Sequence, residues 1–379
     1  GIGALENFLN ASKHVKIEAE IVALADFFMD RAKSAAEKFG VSQELCIAGV
    51  NAYKDVMKTD ADVVLLVTPP NFRPAHFDAA VKSGKHVFME KPVAVDPPGA
   101  RKIMETGEIA KQKGLAVVSG TQRRHQIEYL KTYQAISQGA IGAIRGGAVY
   151  WNMGALWHKT RNAGEDDASY MVRNWVNFTE MSGDHIVEQH VHQLDIANWF
   201  IGRYPVSALA VGGRSRRKTG NQYDFFSVDF DYGQGIHVHS MCRQVKGCYN
   251  RVSEFFTGAD GATWGTGPRK KKGVGFAREV KISDVPYVGN PYVQEHIDLI
   301  KGILEDKPLN EATQVATSTL TGIMGRISAY SGQLIRWKDI AENDFSPWYN
   351  LTLTPTAMDF EKGTVTAPPE GVAAVAGKA

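Results

Sequence analysis

Short apolar runs recur through the first third of the chain, each separated from the next by a helix-length stretch. Glu20-Ile21-Val22-Ala23-Leu24-Ala25 ends at Asp26, and Val63-Val64-Leu65-Leu66-Val67 is closed by Thr68-Pro69-Pro70. His86-Val87-Phe88-Met89 and Ala116-Val117-Val118-Ser119 follow. Runs this short, bounded by charges or prolines, suit strands buried on both faces, as in a parallel sheet. Helices are predicted between them over 31–39, stopped by Gly40, over 76–83, ended by Gly84, and over 98–113. That alternation means βαβ units, so residues 1–122 are read as an α/β domain with a parallel sheet.

After Gln122 the pattern changes. Stretches 145–151, 208–212, 224–232 and 235–243 read as strands with short connections, and Phe225 to Phe230 partly alternates, as a half-buried antiparallel strand should. Residues 123–340 are therefore read as an α+β domain built on an open, mostly antiparallel sheet, with a helix near 313–333 that packs back on the first domain. A chain of 379 residues suits two domains. The Pro-, Gly- and Ala-rich stretch 341–379 is expected to be an extended tail. The strands after Tyr150 carry more apolar face than the local helices can cover, so a second copy is expected on the sheet, as a homodimer or homotetramer.

Several partner classes fall away on composition. A net charge of +2 gives no global field to attract nucleic acid or acidic lipid. Arg269-Lys270-Lys271-Lys272 and the group Arg214, Arg216, Arg217 and Lys218 are read as solvated loops. Cys46, Cys242 and Cys248 are too scattered for a disulfide framework or a zinc ribbon. No apolar run reaches the roughly 20 residues of a membrane helix. A small molecule is the expected partner.

Gly1-Ile2-Gly3 runs straight into a helix over 4–9, and a helix N-terminus behind close glycines is an anion site. Asp26 stands at a strand end, where a carboxylate can accept both ribose hydroxyls of an adenosine and would repel a 2′-phosphate. Gly1, Gly3 and Asp26 are thus candidate cofactor residues, with NAD favoured over NADP; a loop-capping role for Asp26 is the plainer alternative. No strand precedes Gly1, so the sequence reads as clipped. A cytoplasmic location is expected, or a periplasmic one if an export signal stood before residue 1.

The stretch Gly84-Lys85-His86-Val87-Phe88-Met89-Glu90-Lys91-Pro92 resembles the Glu-Lys-Pro signature of the Gfo/Idh/MocA oxidoreductases. Thr68-Pro69-Pro70-Asn71 with His76 is similar to the loop and helix that precede it in that family, and the resemblance runs from Gly1 to about Trp337. It implies a Rossmann-type first domain with Thr68, Pro69, Asn71, His76, Glu90, Lys91 and Gln122 at the cofactor. It implies that nicotinamide lies beside Lys91, which orients the reacting hydroxyl. In Gly183 to Trp199, the family's Asp, catalytic His four residues later and further Asp become Glu188, His192 and Asp195. Glu in place of Asp keeps the charge on a longer arm.

The chemistry gives these residue types a reason. Oxidising a secondary alcohol moves a hydride from carbon while the hydroxyl proton leaves, and a histidine titrating near neutrality suits that proton. His192 is the expected general base and Lys91 the stabiliser of alkoxide charge, with Glu188 as their catalytic neighbour. Arg123, Arg124 and His125, following the last parallel strand, are candidate substrate contacts. So are His185, Asp195 and the stretch Trp151, Asn152, Trp157, His158 and Lys159, which could stack on a sugar ring or simply fill a core. His185, Glu188 and His192 at i, i+3 and i+7 could hold a metal, but no second ligand motif accompanies them, and none is expected. The leading expectation is reversible oxidation of a sugar, glycoside or cyclitol hydroxyl. An NAD-dependent glycosidase working by transient oxidation and elimination is one alternative, and a non-catalytic sugar- or nucleotide-binding regulator another.

Overall fold

The computed structural model describes residues 1–264, 283–284 and 286–378, so the basic run Arg269 to Lys272 lies outside the described residues. Five strands open the chain: β1 (Leu24–Asp26), β2 (Cys46–Ala48), β3 (Val63–Leu66), β4 (His86–Met89) and β5 (Val117–Ser119). All their pairings are parallel, in two sheets, β1–β2 and β3–β4–β5. β1 is shorter than the apolar run that announced it. Its partner β2 begins at Cys46, directly after the turn Gln43–Leu45, so the ladder starts at Leu24. β2 itself is too short to stand out as a run.

Helices Ile2–His14, Met29–Phe39, Arg73–Lys82 and Pro97–Gln112 connect and flank these strands. The last begins where the Asp96 carboxylate accepts the Gly99 N–H at 2.9 Å and Pro97 takes the first helical turn.

The second domain's sheet has seven strands: β6 (Ile144–Met153), β7 (Ser207–Gly213), β8 (Phe225–Asp231), β9 (His237–Gln244), β10 (Arg251–Gly258), β11 (Ala262–Trp264) and β12 (Ile335–Arg336). Their order is β11-β10-β6-β9-β8-β7-β12, and only β6–β9 is parallel. β10 escaped the sequence reading because Ser253, Glu254 and Thr257 interrupt its apolar positions. Along β8 and β9 burial alternates: Phe226, Val228, Phe230, Val238 and Cys242 face the core, while Phe225 and Met241 face out.

Helix Ala312–Ser331 covers the inner face. Its first turns (Ala312, Val315, Ala316) pack with Ile103 and Val117 of the parallel-sheet domain. Its later turns (Leu320, Ile323, Met324, Ile327) pack with Phe226 and Phe230 of the seven-stranded sheet. The approach to helix Pro97–Gln112 is close enough to require Gly107, since a Cβ there would lie 2.5 Å from the Ala312 Cβ.

Helices Ile127–Ser137 and Pro291–Leu304 were not foreseen; the second is announced by Asn290, whose side chain accepts the Tyr292 N–H, and by Pro291. The tail is not wholly extended either. Thr356 and Asp359 form a capping box that starts helix Ala357–Lys362. The Arg214–Lys218 loop is not simply solvated, because Arg217 donates to Gln222 and Gln244 and pairs with Asp224 at 3.5 Å. Among the described residues no helix is long and apolar enough to cross a membrane.

Candidate functional site

Gly1 caps helix Ile2–His14 and Gly3 lies in its first turn; a Cβ at either would meet nothing within 4 Å. The leading N–H groups of that helix have no intrahelical acceptor, the feature that suits such a helix end to an anion. Asp26 ends β1, where its Oδ1 accepts the Phe28 N–H at 2.9 Å and lies 4.0 Å from the Arg31 guanidinium. It caps its own turn, with a cation beside it that the sequence reading did not weigh.

The turn after β3 is held from beneath by Arg73, which is 1% exposed and donates to the carbonyls of Leu66 and Thr68. Arg73 was missed because a lone arginine at a helix start carries no sequence signal. Thr68 Oγ1 lies 3.1 Å from His76 Nδ1. Burial, with Arg73 adding to it, pushes His76 down to about 3, so the ring is neutral. Asn71 spends its amide on the carbonyls of Glu180 and Pro355, at 2.8 and 3.0 Å. Only its buried Oδ1 is without a protein partner. Glu90 sits at the C-terminal end of β4 against Gly120, where a Cβ would come within 2.3 Å of its Oε2. Burial raises the Glu90 carboxyl above its ordinary range.

From the same strand end Lys91 crosses to the second domain. Its Nζ donates to the Glu188 carbonyl at 2.6 Å and lies 3.4 Å from Glu188 Oε1, both side chains being nearly buried. Glu188 Oε2 accepts from Gln189. His192 follows on the next turn of chain, stacked on Trp151 with ring centroids 5.6 Å apart. Its Nδ1 has no protein partner. Burial foremost, then the charges of Lys91 and Arg123, holds His192 well below the ordinary histidine range. Arg123 itself lies over Trp151 at 5.6 Å and pairs with Glu254 at 3.7 Å.

The helix predicted through this segment is broken into His185–Glu188 and Val191–Ile201. At the break His190 turns inward, its Nε2 2.7 Å from Ser240 Oγ. His185, Glu188 and His192 therefore do not share a helical face, and His185 turns away from the other two. It lies 3.0 Å from Asp184 Oδ1 and packs on Phe226, 2% exposed.

Other expected substrate contacts are engaged internally. Arg124 holds Asp195 with two hydrogen bonds, at 2.8 and 3.0 Å, and Ser318 donates to the same carboxylate at 2.8 Å. His125 sits between Asp298 at 2.7 Å and Glu311 at 3.2 Å. Gln122, expected at the cofactor, donates to Tyr292 at the surface. Trp157 is 45% exposed on a loop whose backbone is held by Asn174 and Asn177, whereas Asn152, beside Trp151, keeps a buried Oδ1 without a partner.

Two family profiles match this arrangement. Residues 1–121 match the oxidoreductase family with an NAD-binding Rossmann fold, and residues 129–261 match the GFO/IDH/MocA C-terminal domain. The chain belongs to the Gfo/Idh/MocA family. An inositol 2-dehydrogenase of Rubrobacter xylanophilus is 27% identical over 242 residues, 62% of this chain and 60% of the relative. An uncharacterized oxidoreductase of Streptococcus pneumoniae is 24% identical over 56% of this chain and 53% of its own. The chain thus spans about half the length of the curated relatives it matches. Among solved structures, an oxidoreductase domain protein from Kribbella flavida superposes with a TM-score of 0.70 at 15% identity, over 89% of this chain and 96% of that one. The scyllo-inositol dehydrogenase of Lactobacillus casei gives 0.65 at 19% identity, over 89% and 96%.

The residues present in this Gfo/Idh/MocA chain fit a dinucleotide. A glycine-flanked helix end suits a pyrophosphate, the Asp26 carboxylate at the end of β1 could accept ribose hydroxyls, and the buried Asn71 Oδ1 is an acceptor in want of a donor. Lys91 supplies an ammonium whose charge reaches the neutral His192 imidazole, groups able to polarise a hydroxyl and accept a proton.

His125 titrates unlike its neighbours. Burial alone would lower it, but Glu311 and Asp298 outweigh that and push it up to about 10. A raised folded value gives stability that is fully present below 6.5 and lost as pH rises through about 10. His125→Gln should leave two carboxylates facing an amide and cost roughly 3–5 kcal/mol. Denaturant unfolding at pH 7 and pH 10 checks both, with the wild-type advantage shrinking at the higher pH.

Proposed function

We propose that this chain oxidises and reduces a secondary hydroxyl of a sugar, glycoside or cyclitol, using a nicotinamide dinucleotide. The observation that carries the reading is the bond of Lys91 across the domains to Glu188, close enough to His192 for its charge to act on the imidazole. Lys91, from the end of a parallel strand, bonds the Glu188 carbonyl of the other domain, one turn of chain before His192. The family membership and the inositol dehydrogenases among the relatives support the substrate class. When bound, the nicotinamide accepts or returns the hydride.

The protein's own groups handle the rest. Lys91 has three N–H donors, of which Glu188 engages two, so the third remains to hold the substrate oxygen and favour its negative charge. His192 is neutral at working pH and can accept the hydroxyl proton. Once charged it stands near Lys91 and Arg123, which disfavours holding that proton and speeds its return in the reverse direction. Glu188 fixes Lys91, while Trp151 offers an aromatic wall beside the imidazole.

Turnover is tested by incubating the chain with NAD and a panel of sugars, glycosides and cyclitols. Net NADH marks the dehydrogenase, whereas sugar release without net NADH marks the elimination route. His192→Ala should lower kcat by about 10²–10⁴-fold and leave nucleotide binding intact. Full activity in that variant would return His192 to a packing role. With Asp26 at the ribose position, kcat/KM should be higher with NAD than with NADP, and Asp26→Ala should narrow the gap by exposing Arg31 to a 2′-phosphate.

The outer face of the large sheet carries Leu209, Val211, Phe225 and Met241, exposed by 54%, 67%, 38% and 37%. This apolar set on a broad strand face suits a second copy of the chain. Light scattering at micromolar concentration should show a dimer or tetramer, and a monomer would count against it.

A further inference from the structure

The Thr68–Arg73 turn and the side chains behind it are gripped by the far end of the polypeptide. Asn71 donates to the Pro355 carbonyl at 3.0 Å. Phe360 meets Phe72 edge-on, with ring centroids 5.0 Å apart. Phe72 lies 5.8 Å from the His76 ring, which is also stacked on Tyr53 at 4.2 Å. Tyr53 then donates to Glu361 Oε1 at 2.8 Å, and Lys54 reaches Glu361 Oε2 at 2.5 Å. Contacts leave the tail at Phe360, pass through Phe72, His76 and Tyr53, and return to it at Glu361.

The capping box at Thr356 and Asp359 sets where these two neighbouring side chains stand. The segment is anchored on both sides of the turn. Upstream, the Leu353 N–H donates to Asp96 Oδ2 at 3.0 Å. Downstream, Glu370 accepts from the Tyr170 hydroxyl at 2.6 Å and the Gly220 N–H at 2.9 Å, both in the second domain.

We infer that Phe360 and Glu361 are positioning residues for the nucleotide: through Phe72 and Tyr53 they hold His76 and the Thr68–Asn71 turn in the shape that binds it. The inference rests on the nicotinamide reading of that turn. It follows from where the stack ends. His76 Nδ1 is the partner of Thr68 Oγ1, and the ring is held by aromatic walls and not by charge, since it stays neutral. With Phe360 gone, Phe72 loses its outer support, and with Glu361 gone, Tyr53 loses its anchor. Thr68 and Asn71 then become free to leave the geometry a nucleotide requires, while Lys91 and His192, tied to each other's neighbourhood through Glu188, do not move.

The test uses the full chain and titrates NADH by fluorescence into the wild type, Phe360→Ala, Phe360→Tyr, Glu361→Ala and, as a control, Met358→Ala, which is 54% exposed. Phe360→Ala should raise the NADH Kd and the nucleotide KM about tenfold, with kcat at saturating nucleotide changed less than about twofold. Phe360→Tyr should restore most of the affinity, Glu361→Ala should weaken it about threefold, and Met358→Ala should match the wild type. An NADH Kd within twofold of wild type in both alanine variants would overturn the inference, as would a fall in kcat with Kd unchanged. If Phe360→Ala does not fold, Glu361→Ala decides alone, because it removes only one hydrogen bond and one partly exposed ion pair. A wild-type chain that binds no NADH overturns the nicotinamide reading itself, a separate result from a bound but tail-independent nucleotide.

Discussion

Helix Ala312–Ser331 belongs to two cores, and the site exists because it does. Its apolar side chains fill the space above the parallel strands at one end and above the seven-stranded sheet at the other. Neither burial can be given up without exposing several aliphatic side chains, each worth roughly 1.5–3 kcal/mol. Its polar atoms then touch both halves of the site. Thr319 accepts the Val93 N–H just after Lys91, and Ser318 donates to Asp195 just after His192. Arg326, 3% exposed, donates to the Val95 and Gly183 carbonyls, one on each side. One rigid element thus bonds the chain close to a lysine and to a histidine far apart in sequence.

Burial then divides the ionisable groups into those that keep a charge and those that lose it. Asp195 is buried but holds two bonds from Arg124, and His125 is buried but lies between two carboxylates. Both are scaffolding, and His125 is held charged by its two carboxylates. His192 has no such partner and lies near Lys91 and Arg123, so it is neutral. The same division explains why several residues that look like substrate contacts in sequence are framework: a buried charge must be satisfied, and Arg124 and Asp195 satisfy each other.

The tail adds a second constraint on the first domain. It does not extend either sheet, yet its short helix supplies a ring and a carboxylate that close a stack around His76. In sequence those residues look like the fringe of a low-complexity stretch. Their contribution depends on being brought back across more than 280 residues to the turn after β3.

What the sequence by itself determined was whatever depends on neighbours along the chain. Unbroken apolar runs such as Val63 to Leu66 suit strands covered on both faces, and the alternation in Phe225 to Phe230 suits one face turned inward, so both sheet types were legible. The Glu90-Lys91-Pro92 turn and the Glu188 to Asp195 spacing were legible as motifs. The three-residue β2, the interrupted β10 and helix Ala357–Lys362 were not, being too short or too mixed for a period to show. Only the tertiary structure decided which motif residues are free to act. His185, Arg124, Asp195 and His125 are as polar as Lys91 and His192, but they find buried partners from β8, helix Ala312–Ser331 and helix Pro291–Leu304. Whether a polar side chain is satisfied by the fold or left for a ligand depends on contacts between segments distant in sequence, and no local spacing encodes them.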